Sequence, residues 1–323
     1  MTPQPGIPDD GWDARLASLG GHFLQSRAWA RCQMRMGFQV AHGSGEGWMW
    51  LGILHRFGPF ARLYLPYGPQ VRDAAALRAA VADARTAAAE RRCTFLHFEP
   101  CGDGARDVRA LGARRVKARQ PEYTWVIKLE RSEDELRAAL ARGHRSRINA
   151  APRKDIAIGS TTDIAEVSEF LGLLHQTYDR AHAPTYPDSY YRTVVDELTP
   201  TGEARLYFAR HDGRALAGAI VIDFGDVRYY AWAGTSSDPE AGRRGAAPAL
   251  VWATMLDARA AGKRWFDFWG VAPPNQPNHA WAGFTEFKRG FGGELLQRSG
   301  TWDIPVRPFA YATWSVLNRL RRA

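Results

Sequence analysis

The order of expected elements occurs twice along this chain, and that repeat limits its fold more than any other feature. In the first half, 48–55 and 62–65 read as strands separated by a Gly58-Pro59 turn. An alanine-rich helix over 73–91 follows, then strands at 94–99 and 123–129. In the second half, 206–210, 216–224 and 227–232 read as strands, with turns at Asp212-Gly213 and Gly225-Asp226. A helix over 245–261 follows, then strands at 264–269 and 301–304. The text repeats as well. TFLHFEP at 94–100 answers RWFDFWG at 264–270, and Tyr123-Thr124-Trp125 answers Gly300-Thr301-Trp302. Similar offsets imply a duplicated unit of about 170 residues, each an α+β sheet of mostly antiparallel strands covered by helices. Chance likeness between short aromatic strands is the alternative.

At 323 residues the chain is long enough for two domains, each with its own core. With 45% hydrophobic and 24% charged residues it is not a disordered chain. No stretch approaches the ~18 uninterrupted apolar residues of a membrane span, and nothing at the start reads as a signal peptide, so a cytoplasmic protein is expected. Three cysteines without a CxxC pair support neither a disulfide framework nor a cysteine zinc site.

Charge is more informative. Residues 103–154 hold 14 Lys and Arg against 7 Asp and Glu, most of the net +9. From Leu136 to Lys154 there are six basic residues and no acid: Arg137, Arg142, Arg145, Arg147, Arg153 and Lys154. Such a block suits a polyanion, whether RNA, a diphosphate or an anionic membrane, or it is a solvated helix face. Ser132 and Glu135 form a capping box that starts this segment, with a bend expected near Gly143 and a stop at Pro152.

The chain lacks a G-x-S-x-G elbow, an H-E-x-x-H pair and a P-loop. His97 and Glu99 lie two apart on one expected strand and share a face, as a site wall or as a hydrogen-bonded surface would. A coenzyme A site would want R-x-x-G-x-G/A at a helix start. Here Arg243-Arg244-Gly245-Ala246-Ala247 is out of register and Pro248 sits in the first turn, which argues against that donor.

Several motifs carry a family resemblance that spans nearly the whole chain. FDFWGV at 266–271, FTEFKRGFGGE at 284–294 and Gly300-Thr301-Trp302-Asp303 resemble the Fem family of peptidoglycan bridge-forming aminoacyltransferases. FLQSRAWA at 23–30 is similar to that family's opening helix, and YLPYGP at 64–69 to its Y-x-x-x-G-P segment. The resemblance implies two tandem GNAT-like domains, expected at 1–150 (completed by 305–323) and at 151–304. It implies transfer of an amino acid from aminoacyl-tRNA to an amine of a peptidoglycan precursor, lipid II or a UDP-MurNAc-peptide. No metal or organic cofactor is implied. The same chemistry on a small peptide or nucleoside, or a non-catalytic RNA- or membrane-binding protein on this fold, are the other readings.

By the same resemblance Lys288 of F-K-x-G-F stabilises charge near the reacting ester, and Glu99 is a base or an orienting group. Trp29 and Tyr67 fall in the acceptor-binding motifs, and Tyr190, Tyr230 and Trp232 in an acceptor channel. Where the family has a phosphate-contacting arginine before Tyr190, this chain has Tyr186. Where it has a lysine after the opening tryptophan, this chain has Gln33, with Arg35 beside it. Arg142, Arg145, Arg147, Arg153 and Lys154 are the expected tRNA contacts. The tail, with Phe309, Tyr311, Trp314 and Leu317 ahead of Arg319, Arg321 and Arg322, is expected either to touch a membrane surface or to dock on the first domain.

Overall fold

The computed structural model describes residues 4–105, 108–181 and 183–320. The chain divides into two compact units, one comprising 1–122 and 298–323, the other 123–297.

In the first unit, strands Gln39–Gly45, Trp48–Phe57 and Phe60–Leu65 form an antiparallel meander. Helix Ala74–Glu90 then crosses over, so that Phe95–Phe98 returns parallel to Phe60–Leu65. Asp73 begins that helix by accepting a hydrogen bond from the Ala76 amide at 2.8 Å. Its buried face is mostly alanine (Ala76, Ala80, Ala84, Ala87, Ala88) and packs on Leu63, Leu96 and Phe98. Small side chains let the helix lie close to the sheet, while each buried leucine or phenylalanine contributes about 1.5–3 kcal/mol.

The second unit repeats this order. Ala204–His211, Arg214–Phe224 and Val227–Thr235 form the meander. Asp212 and Gly213 turn the first hairpin with φ of 49° and 75°, a pair of positive values that the tight hairpin turn requires. Helix Ala246–Ala260 leads to Trp265–Gly270, again parallel to the last meander strand.

Each sheet is then completed by a strand from the far side of the sequence. Tyr123–Lys128 pairs antiparallel with Trp265–Gly270 in the second unit, and Trp302–Pro305 pairs antiparallel with Phe95–Phe98 in the first. This corrects the expected boundaries. The division falls at 122/123 and 297/298 rather than at 150/151 and 304/305, because backbone pairing, not chain order, decides membership. The capping-box helix Glu133–Ala138 and the basic helix Arg142–Ala150 therefore belong wholly to the second unit. The break between those helices comes just before Gly143, where the Ala141 amide donates to the Gly290 carbonyl at 2.9 Å.

Candidate functional site

The second unit's parallel pair holds the site. Val227–Thr235 and Trp265–Gly270 pair only from Val227↔Trp265 to Tyr229↔Asp267, although both strands run further. Beyond Tyr229 and Asp267 the ladder is open. At that point Trp269 takes a φ of +61°, a left-handed conformation uncommon for a tryptophan, and the register against Tyr123–Lys128 shifts. Two side chains hold this bulge. Asp267 Oδ1 accepts from the Trp269 amide at 2.7 Å, and the Thr124 hydroxyl lies 2.8 Å from the Trp269 carbonyl and within reach of Asp267. Thr301, the repeat partner of Thr124, donates to Glu99 in the first unit, so the duplicated threonine closes the end of the aromatic strand in both.

Lys288 reaches the open end. It lies in the last turn of helix Ala282–Arg289, and its Nζ donates to the Gly270 carbonyl at 2.6 Å. Burial pushes its pKa down to about 8, against the pull of the Asp267 carboxylate. The glycines that follow serve packing. A Cβ at Gly290 would meet the His144 ring at 2.6 Å, and one at Gly293 the Val126 carbonyl at 2.3 Å. His144 Nε2 lies 3.0 Å from the Phe287 carbonyl, and its ring packs edge-on against Phe291 at 4.5 Å. The basic helix is thereby locked to the Lys288 helix.

Aromatic rings continue from the bulge. Trp269 lies 6.0 Å from Trp232, Trp232 lies 5.8 Å from Tyr190, and Tyr190 stacks on Tyr186 at 4.2 Å. Tyr186 is exposed. The structure thus brings together Tyr186, Tyr190 and Trp232, and adds Trp269, Asp267 and Thr124, which sequence reasoning did not single out. Their signal was the repeat itself, since 124 and 267–269 sit at its matching positions. Tyr230 does not join this line. The ladder to Arg214–Phe224 has an extra residue between Tyr230 and Trp232, and this bulge turns Tyr230 to the other face, where it is buried against Phe266 and Phe268 in the core.

In the first unit Glu99 is buried and held by four donors. Tyr64 OH and the Tyr67 amide donate to Oε2 at 2.9 and 3.2 Å, the Gln120 amide and Thr301 hydroxyl to Oε1 at 2.8 Å each. With both oxygens engaged, it ties together Tyr64, Tyr67, Gln120 and Thr301. His97, its neighbour two residues back, also points inward, with Nδ1 2.5 Å from Asp303. Tyr67 is buried, its hydroxyl donates to the Pro121 carbonyl at 2.7 Å, and Arg298 lies over its ring at 4.4 Å. Tyr67, Glu99, Arg298 and Thr301 line a narrow crevice. Trp29 and Gln33 are buried on helix Arg27–Arg35, while Arg35 is exposed. Gln25 of the F-x-Q-S motif clamps the Leu51 backbone and the Pro66 carbonyl, so that motif is structural.

Arg142, Arg145, Arg147, Arg153 and Lys154 are all exposed. Two of them also cap backbone. Arg145 donates to the Ala138 and Leu140 carbonyls at 2.8 and 2.9 Å, and Lys154 to the Arg243 carbonyl. The GNAT fold implies coenzyme A at the start of the helix after the meander, here Ala246–Ala260. The residues do not fit it. A Cβ at Gly245 would meet Arg147 Cβ at 2.9 Å and its carbonyl at 3.1 Å, and Pro248 removes an amide from the first turn. Among the described residues, no group of three or more His, Cys, Asp or Glu is placed to hold a metal ion.

Residues 141–289 match the acetyltransferase (GNAT) domain family. No curated protein matches the chain. Among solved structures, FemX superimposes with a TM-score of 0.85 at 18% identity, over 97% of this chain and 99% of that one. L-PGS from Bacillus licheniformis gives 0.61 at 13% identity over 98% of each chain. A tandem GNAT protein from the clavulanic acid biosynthesis pathway gives 0.51 at 16% identity, over 94% of this chain and 98% of that one. The chain is built of two tandem GNAT-like units, and the second holds the residues that match the acetyltransferase (GNAT) domain family.

Proposed function

We propose that this protein transfers an amino acid from aminoacyl-tRNA to an amine of a peptidoglycan precursor, lipid II or a UDP-MurNAc-peptide. The observation that carries the reading is Lys288 at the open end of the parallel strands, beside an aromatic line that leads to exposed Tyr186. The fold shared with FemX over nearly the whole chain supports it.

Aminolysis of an ester needs little covalent help. The amine nitrogen attacks the carbonyl carbon, charge collects on the carbonyl oxygen, and the C–O bond to the tRNA ribose breaks as the C–N bond forms. The amine loses a proton and the ribose oxygen gains one. The protein must align the partners and stabilise the oxyanion. A lysine held at a strand end, with a pKa of about 8, is mostly cationic at neutral pH and acts as the charge develops. Trp232, Tyr190 and Tyr186 offer flat apolar walls to the acceptor. Exposed Arg142 and Arg147, on the helix locked to Lys288 through His144, supply positive charge for an RNA backbone.

The experiment is incubation with a mixed pool of charged tRNA and either lipid II or UDP-MurNAc-pentapeptide, followed by mass spectrometry of the acceptor. A gain of one aminoacyl residue is expected. An unchanged acceptor with every charged tRNA would contradict the reading.

A further inference from the structure

Helix Pro308–Leu320 has two apolar faces, and the fold uses one. On the inner face Tyr311 is buried and donates its hydroxyl to Asp303 at 2.9 Å. Trp314 packs 4.4 Å from the Phe95 ring. The expected docking on the first unit is thus real, and it fixes the helix before any partner arrives. The outer face is also apolar. Phe309, Val316, Leu317 and Leu320 are 92%, 55%, 43% and 69% exposed. With Ala312 and Thr313 they form one stripe at helical spacing.

We propose that this stripe lies on a lipid bilayer bearing anionic headgroups. The charge around it selects that occupant. No acidic residue occurs after Asp303, and exposed Arg307 and Arg319 flank the stripe. Arg321 and Arg322 lie outside the described residues. A second copy of the chain would bring the same positive charges together, whereas an anionic surface attracts them. No described helix is long and apolar enough to cross a membrane, so the contact is a helix lying flat at the interface. Thirteen helical residues span about 20 Å.

The test is flotation of the full-length protein with vesicles of phosphatidylcholine, alone or mixed with phosphatidylglycerol. It reads no enzymatic activity, so its failure is separate from failure of the proposed reaction. The wild type is expected to float with the mixed vesicles and far less with phosphatidylcholine alone. The double substitution Phe309→Ser and Leu320→Ser, both on the exposed stripe, is expected to lower partitioning about tenfold or more with an unchanged melting temperature. Arg319→Glu, which leaves the stripe apolar, is expected to weaken binding to the mixed vesicles only. Wild-type protein that stays unbound, or a double variant that floats equally, overturns the proposal. So does a concentration-dependent dimer in solution that the double variant abolishes, since a second copy would then cover the stripe.

Discussion

Lys288 combines partial burial, one carbonyl partner and a nearby carboxylate, and these make its charge sensitive to pH just above neutrality. Because the folded-state pKa lies below the ordinary lysine value, the unfolded chain binds more protons between about 8 and 10.5. This group's cost to stability is therefore present below about pH 8 and is relieved as pH rises through that window. Activity runs the other way. If the cation stabilises the oxyanion, transfer should fall as pH rises past about 8. Rates measured from pH 6 to 10 are expected to show that descending limb, and Lys288→Arg, charged throughout, to lose it while turning over more slowly. A limb at the same pH in Lys288→Arg would assign it to another group. The F-K-x-G-F motif made this lysine legible. The facing of Tyr230 was not legible because it depends on a bulge in the pairing between Tyr230 and Trp232, and the setting of Glu99 was not because its four donors come from sequence positions up to 202 residues away.

Among the elements, the basic helix Arg142–Ala150 is the clearest binding surface. Reversing Arg142 and Arg147 to glutamate, while keeping the capping Arg145, is expected to weaken tRNA binding and flatten its salt dependence by about 0.9 log unit per lost phosphate contact. An unchanged slope would make this a solvated face. Helix Ala246–Ala260 is tied to the meander by Arg228, which is 1% exposed and pairs with Asp223 at 2.7 Å and Asp257 at 3.0 Å. Arg228→Met leaves both carboxylates without their cation and is expected to cost about 3 kcal/mol in urea unfolding. A loss under about 1 kcal/mol would mean that solvent replaces the pair. Meander hairpins were readable because Asp212-Gly213 is a local signal. The Lys288 helix was not. Three glycines follow it, and the residue before it, Trp281, makes no side-chain capping bond.

At the scale of the whole molecule, the duplication was readable from text and element order, but the boundaries were not. Pairing of Tyr123–Lys128 with Trp265–Gly270 spans more than half the second unit, and no local pattern reports it. A fragment 123–297 is expected to unfold cooperatively, whereas 151–304, which lacks that interior strand, is expected to show no cooperative transition by circular dichroism. Equal cooperativity in both would contradict the strand exchange. In the proposed reaction Lys288, at the open end of the second sheet, stabilises charge during aminoacyl transfer. The measurement that decides it is turnover of Lys288→Ala with charged tRNA and whichever of lipid II or UDP-MurNAc-pentapeptide the transfer assay shows to be aminoacylated. A loss of about 100- to 1000-fold in rate is expected, with little change in tRNA affinity and little net change in stability, since the missing bond to Gly270 is offset by relief of the ammonium's burial cost. Turnover above about a third of wild type, far more than loss of such a donor permits, would contradict it.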